Sequence, residues 1–197
     1  MGLVEFVISP PDIVRSSHQL WLLKIWMQLR RPGLLPALGD FLGEQLVGIA
    51  DHLLLVDVVR GAGKARYMIR FGGARIVDYF GVSCPFGGQG RFLDEALPAA
   101  YRDTALSTFH EAVAAQEPVY TVADLRDRAG RIVHFERLLL PLSQAGTAVD
   151  GVLASIEAVS PEGAMDTGGL VTAYAASPAF AFCTIIDTRE PTPGAAR

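Results

Sequence analysis

The sequence predicts an α+β domain: a five-stranded antiparallel sheet with helices on one face and a helical extension before it. Three observations carry the prediction. Two apolar runs, 52–60 and 65–71, flank a short glycine turn, and an amphipathic helix follows Pro98. Three further strand-like runs, 119–125, 132–142 and 149–159, are joined by turns too tight for parallel neighbours. The chain has 197 residues, 50% hydrophobic and 19% charged, which suits one core with attachments and excludes disorder through charge excess.

Residues 1–15 read as an extended arm in which Val4, Phe6 and Ile8 alternate until Pro10 and Pro11 stop it. Such an arm suits a sheet edge or a partner. Region 16–49 is a helical extension. Ser16 or Ser17 offers an N-cap for a helix from His18 to about Arg30, with Leu22, Ile25, Trp26 and Leu29 at helical spacing, and Pro32 and Gly33 close it. Leu20, Leu23 and Met27 widen its apolar surface beyond one stripe, so it needs cover on more than one side. Two readings stand: the helix caps its own core, or it makes a dimer contact through Trp21, Trp26, Leu22, Ile25 and Leu29. A weaker helical pattern spans Asp40 to Ile49.

The domain proper is 50–160. In its first hairpin, Tyr67, Ile69 and Phe71 share one face of the second strand. Short helical pieces around 76–80 and 92–96 flank a glycine-rich loop, 86–90. Pro98 then opens a helix to about Gln116 whose inner face carries Ala105, Phe109, Ala112 and Val113. The turns 127–130 and 143–146 have the length and glycine content of hairpin loops. In the tail, 161–197, both ends read as flexible, while Ala179 to Thr188 forms a strand candidate whose apolar edge seeks a partner in this chain or another.

Several function classes are excluded by what is missing. A net charge of -4, with 17 basic and 21 acidic residues in no blocks, lacks the footprint of a nucleic-acid binder. Cys84 and Cys183 form neither a CxxC pair nor a disulfide framework, which suits a reducing, cytoplasmic setting, with Cys84 the candidate for a redox switch. Residues 1–12 lack the basic and apolar regions of an export signal. The run 20–29 is too short for a membrane span, and 168–186 carries Pro178 among small and hydroxyl residues, so no span is expected. Gly61-Ala-Gly-Lys64 lacks the outer glycine and the hydroxyl residue of a phosphate loop and reads as a hairpin turn. The stretch 87–90 does not follow a strand as a dinucleotide loop would. Histidines 18, 52, 110 and 134 are isolated, with no metal-ligand spacing, and no GxSxG or Cys/His context supplies a nucleophile. No metal and no enzymatic activity are expected, and no cofactor is specified.

Strand, strand, short helices, one longer helix and three strands is the element order of a PAS domain. The words Trp26-Met-Gln-Leu-Arg-Arg31 with Leu35-Pro36, Leu53-Leu-Leu-Val-Asp-Val58, Arg66-Tyr-Met-Ile-Arg-Phe-Gly-Gly73 with Ile76 and Phe80-Gly81, and Phe135-Glu-Arg-Leu-Leu-Leu-Pro-Leu-Ser143 add to this. In them the chain resembles a PAS-like family, an alphaproteobacterial group formerly described as a domain of unknown function. Gly39-Asp-Phe-Leu-Gly43 departs from that family's pattern of an acidic residue followed by proline. The resemblance implies the PAS fold and a sensory or regulatory module in signal transduction. Such a module acts through a small-molecule ligand, a homodimer or a signalling protein. A ligand-free interaction domain is the alternative.

Arg137 breaks the pattern of its strand. Period two places Val133, Phe135, Arg137 and Leu139 on one face, so a guanidinium sits among apolar neighbours. By the resemblance, the residues two and four before Pro141 point into a ligand cavity, which makes Leu139 and Arg137 its lining. Tyr67, Ile69, Phe71, Phe80, Phe109, Phe135, Val152 and Ala154 are then its apolar walls. A buried arginine is costly unless paired, so Arg137 needs an internal partner, a head that reaches the surface, or an anionic ligand.

Overall fold

The apolar runs pair as strands and gain two further partners. The structure, a computed structural model, describes residues 5–41, 43–61, 63–80, 90–171 and 180–188. Its strands are β1 (Val7–Ser9), β2 (Leu53–Val59), β3 (Arg66–Gly72), β4 (Val119–Arg126), β5 (Ile132–Leu142), β6 (Gly151–Val159) and β7 (Phe180–Ile186). Among the described residues they form one seven-stranded sheet in the order β1-β7-β4-β5-β6-β2-β3. All neighbours are antiparallel except β1 and β7, which run parallel.

This corrects the five-stranded antiparallel PAS sheet expected from the sequence. The α+β class holds, and the five expected strands lie side by side, but the sheet is mixed and wider. The reason lies at the free edge of β4. The tail strand pairs there in register from Val119↔Ile185 to Val122↔Phe182, which buries Cys183, Thr184 and Ile186. The arm then adds to β7. Edge pairing of this kind satisfies backbone groups that water otherwise has to reach.

Among the described residues, five α-helices complete the fold: α1 (Ser17–Leu29), α2 (Gly43–Val47), α3 (Ala74–Phe80), α4 (Leu93–Ala96) and α5 (Ala99–Ala115). Ser16 caps α1 by accepting from the Gln19 backbone N–H at 3.4 Å. Both faces of the sheet are covered, the second by the N-terminal helical extension. Helices α3 to α5 lie on the face of β5 that carries Arg137. On the opposite face, Gln19 Nε2 donates to the carbonyls of Glu136 (3.3 Å) and Ser155 (3.0 Å), and Trp26 Nε1 donates to that of Pro141 (2.8 Å). These bonds and the buried Leu22, Leu23 and Trp26 hold α1 on the sheet. The broad apolar surface of α1 is thus used within its own core.

Glycine is required at position 73, where the chain leaves β3 for α3. A Cβ there would lie 2.5 Å from both the carbonyl carbon and oxygen of Asp51, so only the absence of a side chain lets the backbone pass the 3-10 turn Ala50–His52.

Candidate functional site

The odd-numbered face of β5 and helices α4 and α5 enclose the site. Leu54, Phe80, Leu93, Leu97, Tyr101, Ala105, Phe109, Arg137, Leu139 and Ile156 line an interior cavity of about 10 Å³, room for one water-sized group. Arg137 is 2% exposed. Its Nε donates to Thr121 Oγ1 at 3.1 Å and an Nη donates to Thr108 Oγ1 at 3.4 Å. The guanidinium lies over two rings, 5.4 Å from the Tyr101 centroid and 5.0 Å from that of Phe180. Among the described residues no carboxylate forms an ion pair with it. Of the resolutions open to a buried arginine, the internal salt bridge and the head reaching solvent are both absent here.

Strand register explains this constellation. Cys183 on β7 opposes Thr121 on β4, Thr121 opposes Arg137 on β5, and Arg137 opposes Ile156 on β6, so one row of side chains crosses four strands. Phe180 reaches the same face through a bulge: pairing shifts between Val122 and Ala123, so Phe182 opposes Val122 while Phe180 opposes Ala123. Without the extra residue the two phenylalanines would share a face.

The electrostatics keep the neighbours of Arg137 neutral. Burial raises the Tyr101 hydroxyl's pKa above its ordinary value, with Arg137 opposing. That hydroxyl is buried and has no hydrogen-bond partner among the described residues. Burial pushes the Cys183 thiol up to about 11, again against Arg137, so it stays protonated and unreactive. Cys84, the candidate redox switch, lies outside the described residues. Further along, Tyr67 Oη and His110 Nδ1 are 2.7 Å apart. Burial raises the tyrosine's pKa and, with Lys64, lowers that of the histidine.

Four residues expected at the cavity line it: Arg137, Leu139, Phe80 and Phe109. Phe135 is buried edge-on to Phe80 and Tyr79, and Tyr67, Ile69, Val152 and Ala154 are buried in the surrounding core. Phe71 is misassigned by simple alternation. A bulge makes Phe71 oppose Leu55 while Ile69 opposes Val56, which turns Phe71 to the other face, where it is 42% exposed. Of the dimer-contact residues, Trp26, Leu22 and Ile25 are buried in the chain's own core, Leu29 is half-buried, and Trp21 is exposed.

Tyr101 and Phe180 were not legible as partners of Arg137. Tyr101 lies one turn before Ala105 on the same helix stripe, a signal available in the periodicity. Phe180 depends on the bulge, which alternation cannot reveal. Among the described residues no group of three or more His, Cys, Asp or Glu could hold a metal, and no helix is long and apolar enough to cross a membrane. Chemically, the site offers a fixed cation and an unpartnered hydroxyl in apolar surroundings, which suits anion binding. No family model and no curated protein matches the chain.

Proposed function

We propose that this chain is a cytoplasmic regulatory module without catalytic activity, which senses a small anion taken up beside Arg137 and passes its state to a partner protein. One observation carries the reading: a guanidinium 2% exposed, bonded to two neutral hydroxyls and stacked on two rings, with no carboxylate among the described residues to compensate it. Desolvating such a group costs several kcal/mol, roughly what those contacts return, and an anion supplies the surplus they lack. The Tyr101 hydroxyl supplies a second donor on the same cavity. This is the kind of role that the resemblance to the PAS-like group implies.

The cavity's size adds a condition. At about 10 Å³ it takes one water-sized group, so a larger anion enters only by moving α4 or α5 off the sheet. Binding then changes the helical layer, and a ligand that favours the opened layer shifts its population. Thermal unfolding in chloride, nitrate, formate, acetate and longer carboxylates tests this against a gluconate reference. A saturable rise in midpoint with at least one anion, lost in Arg137→Ala, is expected. No rise with any anion, or a rise that persists in the variant, overturns the reading.

A second reading rests on Trp21, 41% exposed at an open groove that it lines with His18, Glu44 and Ile49. Large exposed apolar side chains of this kind mark contact surfaces. In this reading the chain is a ligand-free interaction domain that docks on a second copy or on a signalling protein. Sedimentation of the wild type and of Trp21→Glu discriminates: an unchanged monomer in both removes the homodimer.

A further inference from the structure

On the face of the sheet opposite Arg137, a cavity of about 280 Å³ opens between the segment leading into α1 and strands β4, β5 and β7. Its floor is apolar: Ile13, Val122 and Phe182, the last packed edge-on against Tyr120 at 6.4 Å. Two opposite charges share its lining, Arg15 and Asp124. The Arg15 backbone N–H donates to Tyr120 Oη at 3.3 Å, which fixes that residue at the cavity. Its guanidinium has no ion pair or hydrogen bond among the described residues. Asp124 is held by His134, whose Nδ1 lies 2.7 Å from Asp124 Oδ1, and it forms no ion pair with Arg15.

A cation and an anion that line one apolar-floored cavity without closing on each other call for a ligand that carries both charges. A simple carboxylate drawn to Arg15 meets the repulsion of Asp124. A simple amine drawn to Asp124 meets that of Arg15. We propose that this cavity binds an apolar α-amino acid as its zwitterion, with the carboxylate on Arg15, the ammonium on Asp124 and the side chain on Ile13, Val122 and Phe182. Each charge of the ligand then meets its opposite, and no net charge is added to the cavity. His134 acts as a positioning residue that orients the Asp124 carboxylate. The volume is close to the lower end of the range for small-molecule sites, about 300 Å³, which matches a ligand of amino-acid size.

Calorimetric titration of the full chain with L-leucine, L-phenylalanine and the two halves of leucine tests the proposal. The halves are 3-methylbutylamine, which lacks the carboxylate, and 4-methylpentanoate, which lacks the ammonium. Saturable one-to-one binding of leucine or phenylalanine is expected, with each half-ligand weaker by about tenfold or more. Arg15→Gln should weaken leucine by about tenfold and, with the repulsion removed, bind the amine more tightly than the wild type does. Asp124→Asn should weaken leucine to a similar degree and bind the acid more tightly than the wild type does. Arg137→Met, across the sheet, should alter none of these affinities, which separates this site from the anion site. The proposal is overturned if neither amino acid binds the folded wild type. It is equally overturned if a half-ligand binds as tightly as leucine, or if Arg15→Gln binds leucine like the wild type.

Discussion

Replacing Arg137 by methionine separates a structural arginine from a binding one. In the structure the guanidinium gains two hydrogen bonds to hydroxyls, at 3.1 and 3.4 Å, and two aromatic faces at 5.4 and 5.0 Å. Hydrogen bonds to a charged group contribute about 1.5–3 kcal/mol each, and a desolvated cation over a ring about 2 kcal/mol. The longer bond sits at the weak end of its range. Against these stands an effective desolvation penalty of several kcal/mol, with no carboxylate to offset it. Methionine keeps most of the volume and removes both sides of the balance. Because the contacts and the penalty nearly cancel, the exchange is expected to be neutral, or stabilising by up to about 3 kcal/mol, in gluconate buffer. For a chain of this size each kcal/mol moves the thermal midpoint by about 2–4 °C. Calorimetry in gluconate, repeated with the anion that stabilises the wild type, measures both effects: the variant starts level with the wild type or higher and does not respond to the anion. A variant less stable than the wild type by 1 kcal/mol or more in gluconate refutes the reasoning, because Arg137 then belongs to the apo fold.

Three further outcomes follow from named contacts. Trp26→Phe removes the donor to the Pro141 carbonyl and part of a fully buried ring, and should destabilise by about 2–4 kcal/mol in urea unfolding with an unchanged slope. Gly73→Ala places a methyl group against the backbone of Asp51 and should cost about 1–3 kcal/mol or more, whereas Gly63→Ala, with open space around it, should stay within about 0.5 kcal/mol. Asp127 supplies a pH dependence. Burial works against its charge, but the N–H groups of Asp166 and Arg131 and the Arg131 guanidinium outweigh that and hold its pKa down at about 2. A lowered carboxyl stabilises the fold above its unfolded value and loses that contribution as pH falls towards 2. Asp127→Asn should therefore be less stable than the wild type at pH 6, and the difference should shrink between about pH 4 and pH 2 in an acid titration followed by circular dichroism.

The sequence made the strands of the central five legible because each buries a regular face: β5 over 132–142 and α5 over 99–115 fall within a residue or two of their expected bounds. Sheet width was harder to read. β1 has three residues and β7 lies beyond a proline-containing stretch, so their pairing is decided by an edge they reach only in three dimensions. Arg137 stood out as one charge in an apolar alternation and Phe109 fell on the inner stripe of its helix, whereas Leu139 and Phe80 were expected at the cavity only through the family resemblance. Phe71 and Phe180 did not, since each depends on a bulge that adds a residue to the count. The opposite charges of Arg15 and Asp124 lie 109 positions apart and come to share a cavity only because the segment before α1 is tied to Tyr120 on β4.

The position of Phe180 on β7 has a consequence for the order in which the molecule opens. β7 joins the sheet through β4 on one side and the three residues of β1 on the other, so its outer side is the more lightly held. Local openings begin at such margins and need less free energy than global unfolding. When β7 lifts away, Phe180 leaves the guanidinium and water reaches Arg137, which regains its hydration while β5 and β6 stay paired. Release of this strand therefore recovers part of the hydration free energy that burial of the arginine costs. Amide exchange should find 180–186 among the earliest segments to open, and an anion held by Arg137 should slow that exchange before it slows any other.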